Sequence, residues 1–152
     1  MKPSWLLVPF VFQNAIHFGS PCHHLVVPRI TASSEFSVTE KRSRFLALVA
    51  PASSMAEAKK TVAQQKKKHH KARHHCWACR FRDENDRLVE QARDDGEVGR
   101  PGMILLEQLR RGGLEGVIVV SRFFGGVKLG PAGVGRAFRA AGEGVLEGLS
   151  KN

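Results

Sequence analysis

A run of apolar residues leads directly into a glycine-studded loop, and this junction constrains the fold more than any other part of the chain. Residues 117–120 read Val-Ile-Val-Val, which is typical of a strand covered on both faces. Gly125 and Gly126 follow, and glycine adopts backbone angles that other residues resist. Lys128 then places a cation just ahead of a predicted helix, where anions are favoured. The junction is either a tight connection that serves packing or part of an anion site.

The remaining pattern predicts further strands and helices on both sides of this junction. Alternating or continuous apolar residues predict strands around residue 36, at 45–50, at 75–82 and at 87–92, with a polar break at 41–43. Helical spacing predicts helices from 55 to about 70, at 103–109 and after the glycine loop. Ser54 and Glu57 fit a capping box at the start of the first helix.

The first 34 residues differ from the rest of the chain. They contain no acidic residue and four prolines, and their apolar run at 5–12 is too short to cross a membrane. We expect residues 1–34 to be a disordered or targeting-like extension, with mitochondrial or secretory targeting left open, and residues 35–152 to form the domain. Three cysteines are too few for a disulfide framework, so a reducing, cytoplasmic location is expected, with no membrane partner.

Positive charge is concentrated in one segment. The formal net charge is +10, and residues 58–82 contain nine Lys and Arg with no acidic residue. Such a segment is either a solvated helix face or a binding surface for a polyanion or a protein partner. The candidate binding residues are Lys59, Lys60, Lys66, Lys67, Lys68, Lys71 and Arg73.

Two clusters could carry metal or catalytic chemistry. Cys76 and Cys79 are ligand types for zinc, but residues three apart on a strand point to opposite faces, and no turn residue separates them. We therefore expect buried thiols, no metal and no cofactor. Asp94, Asp95 and Glu97 could bind a cation, act as acid and base, form a turn, or orient against Arg122 or Lys128. No nucleophile lies near them and no phosphate-loop pattern is present, so a non-enzymatic protein is expected.

The order of these pieces resembles the Impact/YigZ family over residues from about 35 to 149. The resemblance is carried by Lys41-Arg42-Ser43-Arg44-Phe45, Ala72-Arg73-His74-His75-Cys76-Trp77-Ala78, Asp94-Asp95-Gly96-Glu97, and Ser121-Arg122-Phe123-Phe124-Gly125-Gly126-Val127-Lys128-Leu129-Gly130-Pro131. It implies an α/β (α+β) domain in two layers. A mixed four-stranded sheet would be packed by two to three helices in a ribosomal-protein-like split β-α-β fold.

The resemblance also implies a function. Impact proteins bind the ribosome-associated activator of the amino-acid-starvation kinase, and so limit phosphorylation of the alpha subunit of initiation factor two. A role in translation and stress regulation through that partner or the ribosome is therefore expected. The alternative is direct RNA or DNA binding by the basic helix and the glycine-rich loop. An enzyme is a third hypothesis, favoured if the family motifs meet in one cleft. The residues of that expected cleft are His74, Asp95, Gly96, Glu97, Arg122, Gly125, Gly126, Lys128 and Gly130.

Overall fold

A computed structural model describes residues 28–149 of the chain. The expectations for residues 1–27 lie outside the described residues. The elements are β1 (Ser34–Glu40), β2 (Ser43–Ala50), α1 (Met55–Lys68), β3 (His74–Arg82), β4 (Leu88–Arg93), α2 (Pro101–Arg111), β5 (Gly116–Phe123) and α3 (Gly130–Leu149). None of the three helices within residues 28–149 combines the length and apolar character that a bilayer crossing requires.

The strands form one five-stranded sheet in the order β1-β2-β5-β3-β4. Each neighbouring pair of named strands is antiparallel. Because β2 and β3 are both antiparallel to β5, they run in the same direction, and β2-α1-β3 is a split β-α-β unit. The expected mixed four-stranded sheet is corrected on two counts. The sheet has five strands, and every neighbouring pair is antiparallel because β5 lies between β2 and β3.

The larger core lies between the sheet and helices α2 and α3. Side chains from β2, β3 and β5 that share one face pack against Leu105, Phe138 and Val145. The rings of Phe45 and Phe138 meet edge to face, with centroids 5.3 Å apart, a geometry that aromatic pairs prefer. This packing makes the two-layer α/β body that was expected.

Helix α1 covers part of the opposite face of the sheet. Its Ala58 and Val62 are buried with Trp77, Cys79 and Phe81, three alternate residues of β3 that share a face of the sheet. The Ser54 hydroxyl accepts the Glu57 amide at 3.2 Å, as a helix N-cap does. The Glu57 carboxylate reaches one residue further back than a capping box, accepting the Ser53 amide at 2.7 Å.

The first described residues pack against the start of β5. Ile30 is buried in the larger core. Its amide donates to the Glu115 carbonyl at 2.8 Å, and the Glu115 amide donates to the Pro28 carbonyl at 3.1 Å. The packed body therefore includes residues that precede β1.

Candidate functional site

A cleft of about 370 Å³ opens where β3 begins and β5 ends. His74 and Arg122 lie directly opposite each other in the antiparallel pairing of those strands. The loop between β4 and α2 and the glycine loop between β5 and α3 form the other walls. Six of the nine family-motif residues line this cleft, namely His74, Gly96, Glu97, Arg122, Lys128 and Gly130. The motifs therefore converge in space, although they are spread over more than fifty residues of sequence.

A buried ion pair forms the floor of the cleft. Arg122 donates from one terminal guanidinium nitrogen to Glu97 Oε2 at 2.6 Å, and the two side chains are 7% and 3% exposed. The other Glu97 oxygen accepts the Val98 amide at 3.0 Å. This is the pairing with Arg122 that the sequence offered as one role for the acidic loop. Arg122 Nε has no hydrogen-bond partner within residues 28–149.

His74 presents one ring nitrogen to the cleft and anchors the other. Its Nδ1 lies 2.9 Å from the Asp95 backbone carbonyl. A carbonyl only accepts, so this contact assigns the proton of the neutral ring to Nδ1. Nε2 then faces Glu97 Oε2 at 3.8 Å. In this tautomer Nε2 carries no hydrogen and can accept a hydrogen bond.

Asp95 lies outside the cleft and ties three elements together. Its carboxylate accepts the His75 amide at 2.9 Å and the Lys66 ammonium at 3.0 Å. Partial burial raises the pKa of Asp95, but these two hydrogen bonds outweigh it and hold the pKa below its usual value. Asp94 similarly accepts the Gly102 amide at the start of α2, at 2.8 Å. Both carboxylates thus hold the loop in place. Within residues 28–149, no three His, Cys, Asp or Glu side chains are grouped to hold a metal ion.

The glycine loop owes its path to close backbone packing. A Cβ on Gly125 would collide with the backbone carbonyl of Arg42 in the β1–β2 turn. The Gly125 amide also donates to Ser43 Oγ at 3.2 Å. Gly126 has φ +88°, a left-handed conformation that favours glycine. The loop therefore serves packing and, by the same path, places Lys128 and the start of α3 beside Arg122.

The seven candidate cations are exposed on α1 and the turn that follows it. We call Lys59, Lys60, Lys66, Lys67, Lys68, Lys71 and Arg73 the basic surface. Lys66 pairs with Asp95 and Lys68 with Glu35. The other five form no ion pair with a carboxylate of residues 28–149. Arg73 also lines the cleft, so the basic surface and the cleft adjoin.

The two strand cysteines are separated by the sheet. Cys76 belongs to the core beneath α2 and α3, and Cys79 belongs to the core beneath α1, as the three-residue spacing predicted. Burial raises the pKa of Cys79 to about 11 and raises the pKa of Cys76 above its ordinary value. Both side chains are thus buried neutral thiols.

Two aromatic residues at the end of β5 were missing from the predicted site. Phe124 is 40% exposed and lines the cleft, with the Arg73 guanidinium carbon 5.4 Å from its ring centroid. The guanidinium carbon of Arg44 lies 4.4 Å from the ring centroid of Phe123. The sequence signal for these residues was a pair of adjacent phenylalanines at the junction of strand and loop. Adjacent side chains there point to opposite sides, so a single packed core does not require both rings.

Comparisons with known proteins agree with this fold and with these motifs. A family model described as the Impact N-terminal domain matches residues 41–146. The IMPACT family member YvyE of Bacillus subtilis (strain 168) is 37% identical over 123 residues, which are 80% of this chain and 54% of YvyE. The chain spans about half the length of the curated relatives it matches first.

Two solved structures share the fold. One, described as a hypothetical protein, has a TM-score of 0.72 and 32% identity, and the match covers 78% of this chain and 58% of that chain. The other is the two-domain translational regulator Yih1, with a TM-score of 0.51 and 25% identity over 78% of this chain and 47% of that chain. These likenesses confirm the two-layer α/β fold.

Proposed function

Because the chain belongs to the family of the Impact N-terminal domain, we propose that it regulates translation as a binding module. The partner is the ribosome-associated activator of the amino-acid-starvation kinase, and binding limits phosphorylation of the alpha subunit of initiation factor two. A cytoplasmic location is part of this proposal. The likeness to a translational regulator supports it.

The basic surface is the observation that carries the proposal. Its side chains are exposed on α1 and the turn that follows it, where a partner can reach them. Five of them form no ion pair with the described part of the chain, and their charges are therefore free to attract an acidic partner. Complementary charge of this kind raises association rates and excludes partners of the wrong sign.

Charge reversal on the basic surface tests the proposal. We expect the purified activator and ribosomes to bind the full chain, and Lys67→Glu/Lys71→Glu to abolish that binding. The matched control is Arg136→Glu/Arg139→Glu, which changes net charge equally at exposed positions of α3. Binding that survives nuclease treatment and fails only in the first variant supports the proposal. An equal loss of binding in both variants would contradict the proposal. The absence of binding by the wild-type chain would also contradict it.

Direct RNA or DNA binding is the second candidate, and the stacked side chains beside α1 favour it. Arginine lies over phenylalanine twice, at Arg44–Phe123 and Arg73–Phe124. Exposed aromatic rings among cations are the usual platform for unpaired bases. This candidate predicts an affinity for single-stranded RNA that falls steeply with salt, with a slope set by the number of phosphates neutralised.

The variants distinguish the two candidates. Nucleic-acid binding requires the ring, so Phe124→Ala weakens RNA binding while it leaves binding of the activator unchanged. Capture from extract that disappears on nuclease treatment favours the second candidate, and capture that persists favours the first.

A further inference from the structure

The cleft has a cationic floor with a single carboxylate, which is already used inside the protein. Arg73, Arg122 and Lys128 line it, and Glu97 is the acidic side chain among its lining residues. Both Glu97 oxygens are bonded, one to Arg122 and the other to the Val98 amide. Glu97 therefore positions the guanidinium and leaves the cleft with an excess of positive charge.

Arg122 is held in place but incompletely satisfied. The residue is 6% exposed, yet its Nε has no partner within residues 28–149. Arginine carries five N–H donors in a planar fork that matches the geometry of phosphate and carboxylate. The unpartnered Nε is itself buried, so it is the positive charge of Arg122, which lines the cleft, that points to an anionic ligand.

Helix α3 adds a second source of positive potential. Gly130, the first residue of α3, and Val134, in its second turn, line the same cleft. Pro131 has no amide hydrogen, but the other first amides of the helix have no partner within it, and the helix dipole favours an anion beside them. Lys128 and Arg122 on one side, and the first turn of α3 on the other, form a site for a phosphate group.

The rim of the cleft is apolar on one side. Phe124 is 40% exposed and Val98 is 50% exposed, and both line the cleft. The guanidinium carbons of Arg73 and Arg122 lie 5.4 and 5.7 Å from the Phe124 ring centroid, so the ring lies among cations. An open aromatic ring beside a phosphate site is suited to stack a base.

We propose that this cleft binds a nucleoside monophosphate, with the phosphate at Arg122, Lys128 and the first turn of α3 and the base on Phe124. His74 lines the same cleft. The volume of about 370 Å³ lies in the range of small-ligand sites. The nucleotide can be free or can be the end of a nucleic-acid strand.

Isothermal titration calorimetry of the full chain tests this site with four probes: adenosine 5′-monophosphate, adenosine, inorganic phosphate and a short single-stranded RNA. We expect the monophosphate to bind with one-to-one stoichiometry and inorganic phosphate to compete with it. Adenosine alone is expected to bind at least tenfold more weakly, because it lacks the charge-assisted hydrogen bonds. An RNA that displaces the monophosphate at lower concentration identifies a strand end as the source, and failure to displace it identifies the free nucleotide.

Exposed variants separate the two halves of the site without disturbing the core. Lys128→Gln is expected to lower the affinity for the monophosphate and for inorganic phosphate alike, by about tenfold. Phe124→Ala is expected to lower the affinity for the monophosphate by about tenfold and to leave the affinity for inorganic phosphate unchanged. The matched control Lys59→Gln removes one exposed charge outside the cleft and is expected to change neither.

Three results would overturn the proposal. The first is the absence of saturable binding by the monophosphate and by the RNA. The second is equal weakening by Lys128→Gln and Lys59→Gln, which would mean attraction by net charge alone. The third is full monophosphate affinity in Phe124→Ala.

Discussion

At the scale of single residues, the pair Arg122–Glu97 organises the cleft. Both side chains are almost fully buried and joined at 2.6 Å. Removing one partner of such a pair leaves an uncompensated charge in a poorly solvated place, which costs far more than the intact pair contributes. The pair therefore fixes the conformation of the acidic loop as well as the position of the guanidinium.

We expect Arg122→Gln to lower the free energy of unfolding by about 3–5 kcal/mol, because Glu97 is left buried and unpaired. Urea denaturation at pH 7 measures the change. The double variant Arg122→Gln/Glu97→Gln is expected to recover part of the loss. The control Arg110→Gln breaks surface pairs with Glu90 and Glu107 and is expected to cost much less. Equal losses of unfolding free energy in Arg122→Gln and Arg110→Gln would show that the buried pair stabilises the fold no more than the surface pairs do.

The buried His75 and the half-buried His69 make stability depend on pH. Burial lowers the pKa of His75 and of His69 below their ordinary value. Below pH about 6.5 the unfolded chain takes up protons that the folded chain does not, so stability falls as pH falls.

We expect the free energy of unfolding to decrease from pH 7 to pH 5, and His75→Gln to reduce that decrease. Asp95, Lys66, His69 and His74 also act on the charge of His75, and none of them is substituted in this variant. Urea denaturation at the two pH values gives the difference. His70→Gln, which alters an exposed ring, is the control. A pH dependence left unchanged by His75→Gln would contradict the assignment.

Sequence motifs predicted most residues that line the cleft but not the structural role of each one. His74, Glu97, Arg122 and Lys128 were found from motifs, whereas Asp95 was expected in the cleft and instead ties α1 to the loop. Motif spacing shows which residues are near one another along the chain, but only the strand register places His74 opposite Arg122.

At the scale of elements, the tight β1–β2 turn supports the glycine loop. The strands pair up to Glu40–Ser43, so Lys41 and Arg42 form a two-residue connection. Both have positive φ, 42° and 69°, as the turn favoured in hairpins requires at both positions. Gly125 packs directly on the carbonyl of Arg42. The turn thus carries strain in two bulky residues next to the cleft.

Replacing this turn by Lys41→Asn/Arg42→Gly is expected to raise the free energy of unfolding by about 1 kcal/mol, because those residues adopt positive φ at lower cost. Thermal and urea denaturation measure the change. Lys41→Ala/Arg42→Ala removes the same charge but keeps the conformational penalty, and is expected to give no gain. A gain shared by both variants would assign the effect to charge.

The elements themselves were largely predictable, and the pairing of strands was not. Period-two and period-3.6 patterns located the strands and helices because each element has one face that must be buried. Nothing in the β5 sequence, however, states that it inserts between β2 and β3. The polar break at 41–43 was visible, but Lys and Arg carry no signal for a left-handed turn.

At the scale of the whole molecule, charge and fold act together. The net charge of +10 attracts acidic partners from a distance, and the basic surface concentrates that attraction on α1 beside the cleft. The concentration was readable from the sequence. The structure also shows that the basic surface adjoins the family-motif cleft, through Arg73 and Phe124. The sequence could not predict this contact, because it joins two distant segments.

The most direct test of translation regulation by this surface is the phosphorylation of the initiation factor two alpha subunit in a cell-free translation extract whose starvation kinase has been activated by amino-acid depletion. We predict that added wild-type chain lowers this phosphorylation and restores protein synthesis. Arg136→Glu/Arg139→Glu is predicted to act like wild type, and Lys67→Glu/Lys71→Glu to have no effect. Phosphorylation that stays unchanged with wild-type chain, or that falls equally with all three proteins, would contradict the account.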